Sequence, residues 1–213
     1  MYACDGVHLR KEALMTKLDA GISREAALEL LYEHNKEEFH IEHGLTVEGT
    51  MRYFAREYDP ENEEFWGIAG LLHDLDWEEY PNPVDHTVRA AEWLRPKGCS
   101  EELIHAIQSH SFDANPALPE PSCRMEKIMF ATEELTGLIG ACIRMRPSGS
   151  VMDFNVKSLK KKFKNEKFAA GVSRAVIRDG AQMLGWELDD LFARTIEAMQ
   201  SFAPDRDTFV PEG

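Results

Sequence analysis

Positions 40, 43, 47, 51, 54 and 58 of the chain read His, His, Val, Met, Phe and Tyr. Steps of three and four residues place all six on one face of an α-helix, the face that has to point into a core. The same period runs through nearly every segment from about residue 9 to residue 202, and none shows the alternation of a strand. An all-α fold is the expectation. At 213 residues the chain is long enough for one domain with a sizeable core.

Caps and breakers divide the pattern into helices. Ser23 is placed to cap the helix in "GISREAALELLYEHN", and "KEEFHIEHGLTVEGTMRYFAREY" must stop before Asp59-Pro60. "NEEFWGIAGLLHDL" follows, and the break "YPNP" separates it from "VDHTVRAAEWLR", which Pro96 and Gly98 end. Ser100 caps "EELIHAIQSH". A loop with Pro116, Pro119 and Pro121 then leads through Ser122 to the long "CRMEKIMFATEELTGLIGACIRMR". The last helices are "VKSLKKKFKN", "EKFAAGVSRAVIRDGAQMLG" and "LDDLFARTIEAMQSF", and the tail "APDRDTFVPEG" reads as frayed. With no internal repeat or linker, residues 1–213 read as a single domain. Its core spans about 36–150, with N-terminal helices in 1–35 and C-terminal helices in 151–202 packing on that core.

Several function classes lose support at this level. No run approaches the roughly 18 apolar residues of a membrane span. The first 21 residues lack the basic-then-apolar layout of a secretory signal, so a cytoplasmic location is expected. A net charge of -14 argues against general nucleic-acid binding. Cys4, Cys99, Cys123 and Cys142 have no C-x-x-C spacing, which removes zinc-ribbon and thioredoxin readings and points to reduced thiols.

The chemistry concentrates where "FWGIAGLL" runs straight into His73, Asp74 and Asp76. Burying such groups beside leucines is costly unless hydrogen bonds, a counter-charge or a metal compensates them. Trp66, Gly70 and His73 are in helical register, which turns His73 inward above a glycine that permits close packing. His86 opens the fourth helix, His110 closes the fifth, and Glu133 sits at the inner edge of the long helix beside Met129, Thr132 and Thr136. A lone inward histidine is most often a core imidazole bonded to a backbone carbonyl, and His40 is read that way, or as a residue that orients His43 or touches substrate. Several converging imidazoles and carboxylates instead suit a first-row divalent metal. Trp66, Trp77, Trp93 and Trp186 read as core or rim, with Trp77 the one pocket wall.

Here the chain resembles the HD-domain superfamily of metal-dependent phosphohydrolases, named for its adjacent His-Asp. The resemblance runs from about residue 36 to residue 200 and rests on "HGLTVEGTMRYFA", "WGIAGLLHDLDWE", "DH", "AIQSH", "LTGLIGACIRMRP" and "KKKFKNEKFAAGVSR". Within the superfamily it looks most like a group of small bacterial and archaeal HD proteins. It implies a helical bundle with a metal site in its core, holding one or two divalent ions of Fe, Mn, Zn, Co or Ni. Carried over by position, His43, His73, Asp74 and Glu133 would hold one metal, and Asp74 would bridge to a second held by His86 and His110. Glu133 stands where the superfamily usually has Asp, with Glu134 as the alternative. The Gly-Tyr-Pro signature of the cyclic-dinucleotide hydrolases is absent.

The implied activity is hydrolysis of a nucleotide or other small phosphoester by a metal-activated water. Asp74 and Asp76 would be catalytic, Asp76 as general base or as partner of a ligand; a solvated carboxylate at a helix end is the plain alternative. Arg144, Lys161 and Arg174 are the candidate substrate contacts, since basic charge is scarce outside that region. Superfamily members with the same ligand order that activate oxygen at a di-iron site supply a second reading. A non-catalytic metal- or ligand-binding domain is the third. The expected partner is a small phosphorylated molecule, with no membrane and a homodimer left open.

Overall fold

The structure, a computed structural model, describes residues 17–203. Nine α-helices and two short 3-10 turns account for its regular structure, with no strand among the described residues. The expectations for residues 9–16 and for the tail from residue 204 lie outside that range.

Local sequence sets most helix ends. The side chain of Ser23 accepts from the Ala26 N–H and opens α1 (Arg24–His34). Next comes α2 (Glu38–Tyr58), which stops at Asp59 ahead of the Pro60–Asn62 turn, and then α3 (Glu63–Leu72). Residues 73–79 form successive turns, so the His73-Asp74 pair hangs just past the end of α3. The fourth helix starts later than its sequence implies. α4 spans Val88–Leu94 because Thr87 adopts a left-handed backbone, φ 62°, and His86 therefore lies in the preceding turn. α5 (Glu101–Ser109) is capped by Ser100 and ends at His110, and α6 (Arg124–Arg144) is the long central helix.

After α7 (Val156–Phe163) the chain departs from the single helix read over residues 166–185. The helix α8 covers only Arg174–Leu184. Ser173 accepts from the Val176 N–H, and Ala169 at φ 45° turns the chain before it. α9 (Leu188–Phe202) closes the described chain.

The apolar faces bury in two clusters that share α6. Leu30, Val47, Met51, Phe54, Trp66, Leu71, Leu94, Leu103 and Met129 join α1 to α5 with the start of α6. Leu135, Leu138, Ile143, Leu159, Phe163, Ile177, Phe192 and Ile196 join the rest of α6 to α7, α8 and α9. α9 also packs on α2, which ties the two clusters together. The crossing that matters most for the site is α2 on α3. A Cβ at Gly70 would lie 2.9 Å from the Val47 carbonyl oxygen, so only glycine lets His73 approach α2 this closely.

Candidate metal centre

Four imidazoles from four places in the chain meet around one carboxylate. His43 comes from the middle of α2, His73 from the end of α3, His86 from the turn before α4 and His110 from the end of α5. Nε2 of His43 and Nε2 of His73 lie 3.2 Å apart, and Nε2 of His86 and Nε2 of His110 also lie 3.2 Å apart. Asp74 sits between the pairs. Its Oδ2 is 3.6 Å from His43 and 3.4 Å from His73, while its Oδ1 is 3.3 Å from His86 and 3.4 Å from His110. Glu133 adds a third donor to the first pair, since one atom each of His43, His73 and Glu133 fall within 4.8 Å of one another.

The opposite ring nitrogens of three of these histidines set which way the rings present Nε2. Nδ1–H of His73 donates to the Gly70 carbonyl at 2.8 Å, and Nδ1–H of His110 donates to the Ile107 carbonyl at 2.6 Å. Nδ1–H of His86 donates to Asp76 Oδ1 at 2.9 Å. A carbonyl or carboxylate oxygen only accepts here, so each neutral ring keeps its proton on Nδ1 and points an Nε2 lone pair inward. The Nε2 lone pairs of His86 and His110, facing each other at 3.2 Å beside a carboxylate, repel unless a cation lies between them.

The ionisation behaviour fits the same picture. Burial, with the neighbouring His73, pushes His43 down to about 4, and burial also lowers His110, so both favour the neutral donor form. Burial pushes His73 down as well, but the charge of Asp74 outweighs it and leaves His73 raised. Asp74 is held well below the carboxylate range: burial opposes this, and the surrounding imidazoles, His73 foremost, prevail. Burial, then the charges of Glu134, Asp74 and Asp113, raises Glu133 well above its ordinary value, and burial lifts Glu134 to about 7. A positive ion beside Glu133 would offset the cost of ionising it there.

Asp76 is neither a solvated helix-end carboxylate nor placed as a general base. It is fully buried, and its second oxygen accepts from the Ala90 N–H at 2.8 Å. With both oxygens engaged it orients His86 and anchors α4 to the His-Asp turn. His40 faces away, bonded through Nδ1 to Glu78, which also accepts from the Lys36 and Glu37 N–H groups at the start of α2. Trp77 sets its ring edgewise on His86, with centroids 4.7 Å apart.

The three cations separate. Arg144 lines a small cleft with Phe39, Glu42, His43, Thr46, Thr136, Gly137 and Gly140, directly beside the cluster. Arg174 is buried, and its terminal nitrogens donate to the carbonyls of Phe168, Ala169 and Val172; it stitches the turn before α8. Lys161 is exposed on α7, which packs against α6 and α9. Sequence reasoning missed Phe39 and Glu42, although both precede His43 on the same helix, and it missed Gly137 on α6.

The family model for the HD domain matches residues 40–138. The chain contains an HD domain. No curated protein and no solved structure matches it. HD domains bind divalent metals and are for the most part metal-dependent hydrolases. The matched stretch contains all four inward histidines with Asp74 and Glu133, whereas Arg144, Lys161 and Arg174 fall beyond it. Among the described residues no helix is long and apolar enough to cross a membrane.

Proposed function

We propose that this protein is a metal-dependent phosphohydrolase acting on a nucleotide or another small phosphoester. His43, His73, Asp74 and Glu133 would hold one divalent ion, and Asp74, His86 and His110 a second. The observation that carries this reading is the division of four Nε2 atoms, two and two, between the oxygens of Asp74. Divalent ions bound there supply an acidified water as nucleophile and positive charge for the phosphoryl oxygens.

The chain's own contribution is to hold donors and protons in place. The Gly70 and Ile107 carbonyls and Asp76 keep protons on Nδ1 of His73, His110 and His86, leaving each Nε2 as a donor. Leu72 and Leu75, both fully buried, flank the His-Asp pair and keep bulk water from that side. Arg144, held by Glu42 and over the Phe39 ring, brings positive charge to the cleft beside His43. Of the three cations named from the sequence, it is the one that the proposed substrate site retains.

The test is metal content of protein purified without chelator, beside an Asp74→Asn variant checked for folding by circular dichroism. Each is then reconstituted with Mn, Fe, Co, Ni and Zn in turn and assayed on a phosphoester panel with and without oxygen. The reading expects about two equivalents of metal in the wild type, loss in the variant, and phosphate release that ignores oxygen. Absence of metal after reconstitution, or turnover that needs iron and oxygen, would overturn it.

A further inference from the structure

Charge is spread unevenly along this chain. Residues 157–167 hold six lysines against one glutamate, a local charge of +5 that leaves -19 for the rest of a chain whose total is -14. Folding gives those lysines different surroundings. Lys160 Nζ pairs with Asp189 Oδ2 of α9 at 2.7 Å, and Lys162 lies over the Phe168 ring. Leu159 and Phe163 are buried where α7 packs on α6 and α9. Lys157, Lys161 and Lys164 are exposed, and none has an ion-pair partner among the described residues. Steps of four and three put them on one helix face, a positive stripe about 10 Å long at 1.5 Å per residue. Elsewhere the cations find carboxylates, as Arg56 does in Glu63, Arg95 in Glu101 and Arg194 in Glu57.

The matching pattern lies on α1. Glu25, Glu29 and Glu33 are all exposed and follow one another at steps of four, a carboxylate stripe about 12 Å long. Glu25 and Glu29 have no ion-pair partner among the described residues, and Glu33 has Lys97 at 3.9 Å. Tyr32, 44% exposed, shares the face of Glu25 and Glu29, an aromatic ring in water that a lysine stem or ammonium is suited to cover. The two stripes are not paired with each other within one molecule: α1 packs on α2 and α3, and α7 on α6 and α9.

Other anionic surfaces match the lysine stripe less well. Phe163 is the one aromatic residue in 156–167 and is buried, so nucleic-acid bases have no ring to stack on. No arginine stands there to grip phosphates with a fork, and no large apolar side chain is exposed there to enter a bilayer. A carboxylate from a neighbouring helix is what α7 already accepts, at Asp189.

We propose that the Lys157, Lys161 and Lys164 stripe docks the Glu25, Glu29 and Glu33 stripe of a second copy of this chain, with Tyr32 at the contact. Charge complementarity at matched spacing sets the register.

The test is sedimentation velocity of the full chain over a range of concentration and salt. Exposed ion pairs are individually weak, so association is expected at about 0.1–1 mM protein. It should appear in about 0.1 M salt and vanish in about 1 M, where the screening length falls from about 10 Å to about 3 Å. A Lys157→Glu/Lys161→Glu/Lys164→Glu variant and a Glu25→Lys/Glu29→Lys/Glu33→Lys variant should each stay monomeric, with folding followed by circular dichroism. Their equimolar mixture should associate, because each then offers the stripe that the other lacks. Tyr32→Ala should weaken the wild-type association about fivefold. A wild type that stays monomeric at about 1 mM in 0.1 M salt would overturn the proposal, even if its lysines bound polyuridylate or phosphatidylserine vesicles instead. Association that persists in either triple variant, or a mixture that stays monomeric, would overturn it as well.

Discussion

Replacing Asp76 by asparagine separates a carboxylate that positions a metal ligand from one that merely sits nearby. The Asp76 side chain is fully buried, and both groups facing it are donors: His86 Nδ1–H at 2.9 Å and the Ala90 N–H at 2.8 Å. An amide accepts at one oxygen only, so its NH₂ must confront one of them. If the oxygen stays with Ala90, His86 must carry its proton on Nε2, and that nitrogen then aims a hydrogen at Asp74 and His110 in place of a lone pair. One hydrogen bond to a charged group is lost, which costs about 1.5–3 kcal/mol. In a chain of this size a loss of about 2 kcal/mol lowers Tm by roughly 4–8 °C. Misdirected Nε2 should weaken metal binding by about 10–100-fold. Thermal unfolding in chelator reads the first effect, and competition with a chromophoric chelator reads the second. A double-mutant cycle with His86→Ala then isolates the pair, with an expected coupling of at least about 1 kcal/mol. The reasoning fails if Asp76→Asn stays within about 0.5 kcal/mol of wild type and binds metal as tightly.

Three further outcomes follow from the same structure. Gly70→Ala should destabilise by about 1–3 kcal/mol, because its Cβ would lie 2.9 Å from the Val47 carbonyl oxygen and 2.9 Å from Met51 Cγ. Metal content should fall with it, since His73 and His43 ride on the two helices forced apart; a more stable variant, as helix propensity alone implies, would refute this. Glu126 accepts from Ser122 N, Ser122 Oγ, Cys123 N and His105 Nδ1, and despite its burial these bonds hold its carboxyl below the ordinary value of 4.5. A depressed folded pKa contributes stability that is complete above the unfolded value and is lost as pH falls through the folded one. Glu126→Gln should therefore be less stable by about 1–3 kcal/mol near neutral pH, and the gap should close in urea titrations taken below pH 4.5. Adding a bound divalent ion at about 100 times its Kd should raise stability by about 2.7 kcal/mol, reversibly with chelator. Differential scanning fluorimetry should show no such rise in Asp74→Asn.

Local chemistry accounts for what could be read along the chain. Ser23 and Ser100 cap the next helix within three residues, and Asp59-Pro60 stops α2 by removing a donor, so neither needs a tertiary contact. Where the expectation over residues 166–185 failed, Ser173 had the choice of continuing a helix or capping one. The Arg174 guanidinium, clamped on three carbonyls of the preceding turn, stabilises the second outcome. The same contact removes Arg174 from the substrate candidates, which charge alone could not reveal. Asp76 shows the limit most clearly. Two residues after Asp74 it reads equally as a solvated helix end, and only the fold brings His86 Nδ1 and the Ala90 N–H to its two oxygens.

By itself, then, the sequence determined an all-α chain, its main helix ends, and the inventory of inward donors: His43, His73, Asp74, His86, His110 and Glu133. Periodicity and capping depend on neighbours within a turn or two, so they survive in a single string of letters. Tertiary structure alone decided how the donors pair, His43 with His73 on one oxygen of Asp74 and His86 with His110 on the other. It also decided that Phe39 and Arg144 stand at the same cleft. Those distances are set by where α2, α3, α5 and α6 cross, and a crossing depends on contacts such as Gly70 against Val47 between residues far apart in the chain.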